Sequence, residues 1–261
     1  MISYKAKKHL GQNFLTDQRT QLKIIQSCDL QSSDTVLEIG PGQGALTNLI
    51  APVVGKLICV ETDHDLIEPL KGTVPFLGTA HEIIHANFLK WDMALLPEGI
   101  KVIGNIPYNI STPIIEKLIE QREKISSAFL TVQLEFGQRL AANPGGKEYG
   151  SLSCFAQYYL DIKLLFKIKN TCFRPAPKVD SCFLRLIPRP PIKKAHDEVF
   201  LFKMIQTAFQ QRRKTIVNAL KPITEKDILE KALASLKIDF NKRPEVLTLS
   251  NYVDLANLLV L

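Results

Sequence analysis

Asn105, Ile106, Pro107 and Tyr108 lie inside GNIPYNIST (104–112), between KVI and PIIEKLIE. The first flank has the apolar run of a strand. The second reads as an amphipathic helix with Pro113 in its first turn, where a missing N–H is tolerated. Asn105 would then present a side-chain carbonyl at the carboxyl end of a strand. Pro107 restrains the direction of the neighbouring Ile106 carbonyl, and Tyr108 adds a flat face. Two acceptors and one aromatic plate suit a planar base bearing an exocyclic amine, which donates two hydrogen bonds while its ring stacks. The amine lone pair of adenine is delocalised and a poor nucleophile. Acceptors that draw its N–H bonds toward tetrahedral geometry localise that pair, which can then attack an electrophilic methyl in line. The plainer alternative is a capped structural turn.

A second constellation is VLEIGPGQGALT (36–47), a strand, a glycine turn and a helix start. Gly40, Gly42 and Gly44 permit close backbone approach, and the helix N-terminus beyond them suits a polar or anionic ligand. With Ala45 the turn also satisfies G-x-G-x-x-A, and Glu61 follows Gly40 by 21 residues at the end of the next strand. A carboxylate there grips ribose hydroxyls, so the spacing is that of a dinucleotide fingerprint. A nicotinamide enzyme and a methyltransferase using S-adenosylmethionine would both use this pair. GNIPYNIST distinguishes them, because hydride transfer has no need of amine acceptors.

The elements that must position these residues alternate. TVLEIG (35–40), KLICVE (56–61), EIIHAN (82–87), KVIGN (101–105), SAFLTVQ (127–133) and VDSCFLRLI (179–187) read as strands, with near-continuous apolar runs typical of a parallel sheet covered on both faces. ALTNLIAPV, DLIEPLKG and PIIEKLIEQRE read as crossover helices. The fold class is α/β and doubly wound, with ligands expected at the carboxyl ends of the strands. PRPPIKK (188–194) is a linker, since three prolines in four residues exclude helix and central strand. Beyond it, Phe202, Ile205, Phe209, Ile216 and Leu220 form one apolar helical face, and EKDILEKALASLKI and SNYVDLANLLVL add two helices. The expected organisation is a domain over 1–187 with a basic N-terminal arm, a linker over 188–194 and a smaller all-helical domain over 195–261.

The 261 residues are 46% hydrophobic and 23% charged, an ordinary globular composition. No apolar run could span a bilayer, and the first residues lack the apolar core of a signal peptide, so no membrane partner and a cytoplasmic location are expected. Cys28, Cys59, Cys154, Cys172 and Cys182 are scattered without a CxxC, which points to buried thiols. His81 and His85 flank a strand-like EII, so no metal site is expected. The net charge of +7 is concentrated: from Arg185 onward, 14 Lys and Arg face 8 Asp and Glu, giving +6. A second cluster, Lys5, Lys7 and Lys8, opens the chain. Basic segments beside a balanced body suit a polyanion, or simply a solvated surface.

GQNFLTD, EIGPGQGALT, GNIPYNIST, FRPAPKVDS (173–181) and QRRKTIVNAL (211–220) occur in this order across nearly the whole chain. In these motifs the sequence resembles the small-subunit (16S) rRNA adenine N6,N6-dimethyltransferases. The resemblance implies a Rossmann-like class I S-adenosylmethionine-dependent methyltransferase domain with a helical C-terminal domain. It implies methylation of two adjacent adenosines in a hairpin near the 3′ end of 16S rRNA, in an immature small ribosomal subunit. It places Asn13 and Leu15 at the methionine end of the cofactor, Gly40 and Gly42 in its turn, Glu61 on the ribose and Asn105 where methyl meets amine. The family's acidic residue at the third strand end stands here as Asn87, whose carbonyl can still accept from an adenine amine. Phe173 is implied to face Tyr108 across the target base, a core position being the alternative.

Lys5, Lys7, Lys8, Arg212, Arg213 and Lys214 are the expected RNA contacts, with Arg212 alternatively a snorkelling stem in the apolar face. Glu38 either orients the cofactor's ammonium or caps the turn. Two rival functions remain open: a large-subunit rRNA adenine N6-methyltransferase, which shares the NIPYNIS block, and a non-catalytic ribosome assembly factor. The expected oligomeric state is a monomer.

Overall fold

The computed structural model describes residues 6–73 and 81–260. In chain order its elements are β1 (Phe14–Leu15), α1 (Gln18–Ser27), β2 (Thr35–Ile39), α2 (Thr47–Ile50), β3 (Lys56–Glu61), α3 (His64–Thr73), β4 (His81–His85), β5 (Ile100–Asn105), α4 (Ser111–Glu120), β6 (Ile125–Gln133), α5 (Leu134–Leu140), α6 (Ser151–Tyr159), β7 (Leu160–Ile168), β8 (Phe173–Arg174), β9 (Ser181–Pro188), α7 (Glu198–Gln210), α8 (Ile216–Ala219), α9 (Lys226–Ser235) and α10 (Leu249–Leu259). They divide into two compact units, Met1–Gly137 with Asp161–Pro188, and Gln138–Leu160 with Arg189–Leu261.

The first unit is built on a seven-stranded sheet of order β4-β3-β2-β5-β6-β9-β7. β2 through β6 pair in parallel, and β9 runs antiparallel to β6. The chain steps outward from β2 to β3 and β4, then returns to the other side of β2 as β5. The reversal opens a crevice beyond the carboxyl ends of β2 and β5, where doubly wound sheets bind ligands. Ile39 is in register with Gly104, so Gly40 and Asn105, 65 positions apart in the chain, end neighbouring strands. Val36, Leu37, Leu57, Val102 and Ile103 are fully buried, as strands covered on both faces require. A Cβ on Gly104 would lie 3.1 Å from the Ile39 carbonyl oxygen, so glycine lets the two strand ends close up.

Six strands were expected in this sheet. The seventh, β7, is an edge strand whose sequence LDIKLLFKI has a half-exposed pattern without a long apolar run. A separate two-stranded ladder pairs Leu15 with Phe173 and Phe14 with Arg174.

In the second unit, residues 138–160, expected within a domain over 1–187, belong instead with the C-terminal helices. The reason is aromatic. Phe155 and Tyr158 pack edge-on against Phe202, with ring centroids 5.1 and 5.4 Å apart. Tyr149 meets Phe209, which in turn meets Tyr252. The hydroxyls of Tyr158 and Tyr159 both donate to the Glu198 carboxylate. The single apolar face expected over 202–220 is also divided. α7 ends at Gln210, and α8 restarts at Ile216 with Thr215 as its cap. Ile205, Ile216 and Leu220 are buried, while Phe202 and Phe209 are half-buried.

Candidate active site

A cavity of about 250 Å³ lies at the carboxyl ends of β2 to β5, roofed by residues 9–15. Gly40, Gly42, Glu61, Asn87, Asn105, Ile106, Pro107 and Tyr108 all line it, together with Asn13 and Leu15. Ten sequence-expected residues from five separate segments thus meet in one space.

The glycine turn has φ of 65° at Gly40, 58° at Gly42 and 82° at Gly44, a region that favours glycine. A Cβ at Gly40 would meet no protein atom within 4 Å, leaving room for a ligand against the backbone. At Gly42 it would meet the Phe14 ring at 3.1 Å, so this glycine admits the roof. The Glu61 carboxylate accepts from the Gly42 N–H at 3.0 Å and the Asp63 N–H at 2.8 Å. Glu61 therefore holds the turn as well as facing the cavity, and its oxygens keep lone pairs for further donors. Burial raises its pKa against these bonds. Glu38 is also buried, accepts a weak bond from the Cys59 thiol, and is pushed up to about 7 by burial.

The roof is fastened at both ends. Lys7 Nζ donates to Asp63 at 2.6 Å and to Asp65 at 2.7 Å, and Gln12 Nε2 donates to the other Asp63 oxygen at 2.7 Å. At the opposite side Asn105 Nδ2 donates to the Asn13 carbonyl oxygen at 2.9 Å. Gly11 completes the fit, since a Cβ there would press on Asn109 and Pro107. The bond to Asn13 assigns the Asn105 amide: nitrogen toward the roof, carbonyl oxygen as the remaining acceptor. Ile106 is anchored by its N–H to the Thr131 carbonyl at 3.3 Å, and the Tyr108 phenol lies 2.6 Å from the Ser181 hydroxyl. Asn87, exposed at the end of β4, uses its Oδ1 to accept from the Leu89 N–H at 2.9 Å.

The Ribosomal RNA adenine dimethylase family profile matches residues 3–260. The chain belongs to that family. It is 42% identical to Ribosomal RNA small subunit methyltransferase A of Chlorobium phaeobacteroides, over 97% of this chain and 95% of that one. It is 40% identical to the protein of the same name from Francisella tularensis subsp. novicida, over 98% of both. Among solved structures, a dimethyladenosine transferase from Plasmodium falciparum superposes with a TM-score of 0.80 at 26% identity, covering 93% of this chain and 95% of that one. The 23S rRNA methyltransferase ErmE superposes at 0.74, also at 26% identity, covering 95% and 100%.

Two expectations for this ribosomal RNA adenine dimethylase are corrected by its geometry. Phe173 is wholly buried in the hydrophobic core and does not line the cavity, which is the core position given as the alternative. Its pairing with Leu15 in the β1–β8 ladder turns it inward. Lys7 is a partly exposed cation whose pKa is raised by its hydrogen bonds to Asp63 and Asp65, so its ammonium is already engaged and is not a free phosphate contact. Lys8, Arg213 and Lys214 are exposed. Arg212 donates to the Lys147 carbonyl at 3.0 Å and sits 5.9 Å from the Phe209 ring centroid, which is the packed-stem alternative. Lys5 lies outside the described residues.

Gln12 and Asp63 escaped sequence reasoning. Asp63 stands two residues after Glu61, but nothing local says that its carboxylate turns toward residues 51 and 56 positions earlier. All five cysteines are free and all but Cys172 are buried. Among the described residues no group of three His, Cys, Asp or Glu could hold a metal ion, and no helix is long and apolar enough to cross a membrane.

Proposed function

We propose that this dimethylase-family chain transfers methyl groups from S-adenosylmethionine to N6 of two adjacent adenosines near the 3′ end of 16S rRNA, twice per base. The substrate of this reading is an immature small ribosomal subunit, met in the cytoplasm by a monomer. The observation that carries it is the assigned Asn105 amide, whose nitrogen is spent on Asn13 so that its oxygen is left as an acceptor at the cavity.

The cavity residues fit the cofactor. Gly40 leaves space where a ligand can touch backbone, and Glu61 offers acceptors for ribose hydroxyls at the next strand end. Asn87 offers an amide for the adenine edge. Bound there, S-adenosylmethionine supplies a methyl group on a positively charged sulfur, open to attack by a nucleophile in line. Asn105 and the Ile106 carbonyl accept the two N–H bonds of the target amine and localise its lone pair. Tyr108, held by Ser181, offers the ring on which a flipped base stacks. As the N–CH3 bond forms, the S–CH3 bond would break and S-adenosylhomocysteine would leave; the attacking nitrogen becomes cationic and acidic, so water can take its proton. Catalysis is then chiefly positioning. Lys8, Arg213 and Lys214 are the proposed phosphate contacts.

The similarity to ErmE gives the rival, methylation of large-subunit rRNA, its support. Single-turnover methyl transfer on immature small subunits and on naked large-subunit RNA separates the two. On the preferred substrate, with both ligands saturating, Asn105→Ala is expected to slow transfer by about 10²–10³, as loss of a preorganised polar group does. A wild-type rate would make Asn105 a structural cap, and activity on neither RNA would leave an assembly role.

A further inference from the structure

The segment after β4 is a tight turn that forms one wall of the cavity through Asn87, Phe88 and Leu89. Asn87 closes its beginning: Oδ1 accepts from Leu89 N–H, and the backbone carbonyl accepts from Lys90 and Trp91 N–H, each at 2.9 Å. The carbonyls at its far end converge on one atom outside it. Lys117 Nζ donates to the oxygens of Phe88 at 2.7 Å, Leu89 at 3.2 Å and Trp91. An ammonium has three N–H donors and no acceptor, so three carbonyls use its whole capacity. The same charge lies 5.1 Å from the Phe88 ring centroid. Lys117 belongs to α4, the helix that continues directly from GNIPYNIST.

We propose that Lys117 is a positioning residue for the cofactor: its ammonium gathers the carbonyls of Phe88, Leu89 and Trp91 and ties the Asn87–Leu89 wall to α4. The inference rests on the S-adenosylmethionine reading above and deepens it. The end of the cavity that would read adenine and the end that would present Asn105 are thereby braced by one side chain. A carbonyl cluster without its cation would repel itself, and the turn would relax away from the geometry that Asn87 needs.

A natural control exists. Lys124 Nζ makes the same kind of contact to the carbonyls of Ala94 and Leu96, residues that do not line the cavity. Calorimetry with S-adenosylhomocysteine, and with its inosine counterpart lacking the exocyclic amine, is run on the full chain and on Lys117→Met and Lys124→Met. K117M is expected to bind S-adenosylhomocysteine about tenfold more weakly, on the scale of a lost charged hydrogen bond. It should also lose most of the preference for adenine over hypoxanthine. In turnover, KM for S-adenosylmethionine should rise while kcat at saturation changes less than twofold. K124M should leave affinity and preference unchanged.

Wild-type affinity in K117M, or an equal loss in K124M, overturns the inference alone. Failure of the unsubstituted chain to bind S-adenosylhomocysteine overturns the cofactor reading with it. If K117M does not fold, Lys117→Arg serves instead. Its planar fork cannot satisfy three converging carbonyls, so a loss of affinity of roughly threefold or more is expected, and unchanged affinity is fatal to the proposal.

Discussion

Lys7 holds its ammonium 2.6 Å from a carboxylate oxygen of Asp63, a side chain wholly shielded from solvent. The pair ties the roof over the cavity to the strand end that carries Glu61. Removing the cation takes a countercharge from a buried carboxylate, which costs more than removing both charges. Lys7→Met should therefore lower the thermal midpoint and weaken S-adenosylhomocysteine binding, and adding Asp63→Asn should recover part of both. Calorimetry and melting of the two variants check this. The salt dependence of RNA binding should be unaltered in K7M and flatter in Lys8→Gln, because an ammonium already paired with two carboxylates is not the one that displaces counterions from phosphate.

The glycine turn makes two different demands. Gly40→Ala places a Cβ in open space at φ 65° and should cost only the left-handed strain, about 1–2 kcal/mol. Gly42→Ala meets the same strain and also the Phe14 ring at 3.1 Å. Denaturant unfolding should find G42A the less stable, and limited proteolysis should find its first fifteen residues more readily cut. Equal stability would mean that Phe14 yields without cost.

Phe173 and Tyr108 should part company. Phe173→Ala empties a fully buried site and is expected to cost about 3–5 kcal/mol of stability, with an unchanged chemical step where the protein remains folded. Tyr108→Ala should do the reverse, slowing methyl transfer severely at small cost to stability. Tyr108→Phe loses only the bond to Ser181 and should be mild in both. A chemical step impaired in F173A at a temperature where it is folded would return Phe173 to the target base.

Glu38 predicts a slope of stability with pH. Burial raises it from 4.5 to about 7 in the folded chain. Between those values the folded state keeps a proton that the unfolded state releases, so stability falls as pH rises through the window and levels above it. The drop is on the order of 3 kcal/mol, at roughly 1.36 kcal/mol per unit. Urea titrations at pH 4 to 8 should show this slope in the wild type, and Glu38→Gln should flatten it. An unchanged slope would assign the proton elsewhere.

How much of this was legible depends on how local each signal is. TVLEIG and KVIGN announce buried strands because every residue contributes to one apolar run. LDIKLLFKI did not, because an edge strand keeps Asp161, Lys163 and Lys167 among its apolar residues. GNIPYNIST exposed its chemistry through residue types alone. The partner that orients its Asn105, the carbonyl of Asn13, is 92 positions away and has no side-chain signature at all. Lys7 fails for a related reason: a cluster of lysines looks the same whether it faces phosphate or a carboxylate 56 positions on. Phe173 shows the limit of type, since an aromatic ring serves a core and a base equally well. The aromatic residues of 149–159 were visible, but their partners lie beyond the proline linker, which made the linker look like the boundary.

The turn gathered by Lys117 holds Trp91, and the chain has one tryptophan. Its half-buried indole stands two residues beyond Leu89, the last residue of the turn that lines the cavity. The tryptophan emission of the unlabelled protein is therefore a single-site signal from the turn beside that wall. Nucleotide occupancy and slackening of the turn could be followed optically in stopped flow, with no dye and no second fluorophore of its kind to subtract.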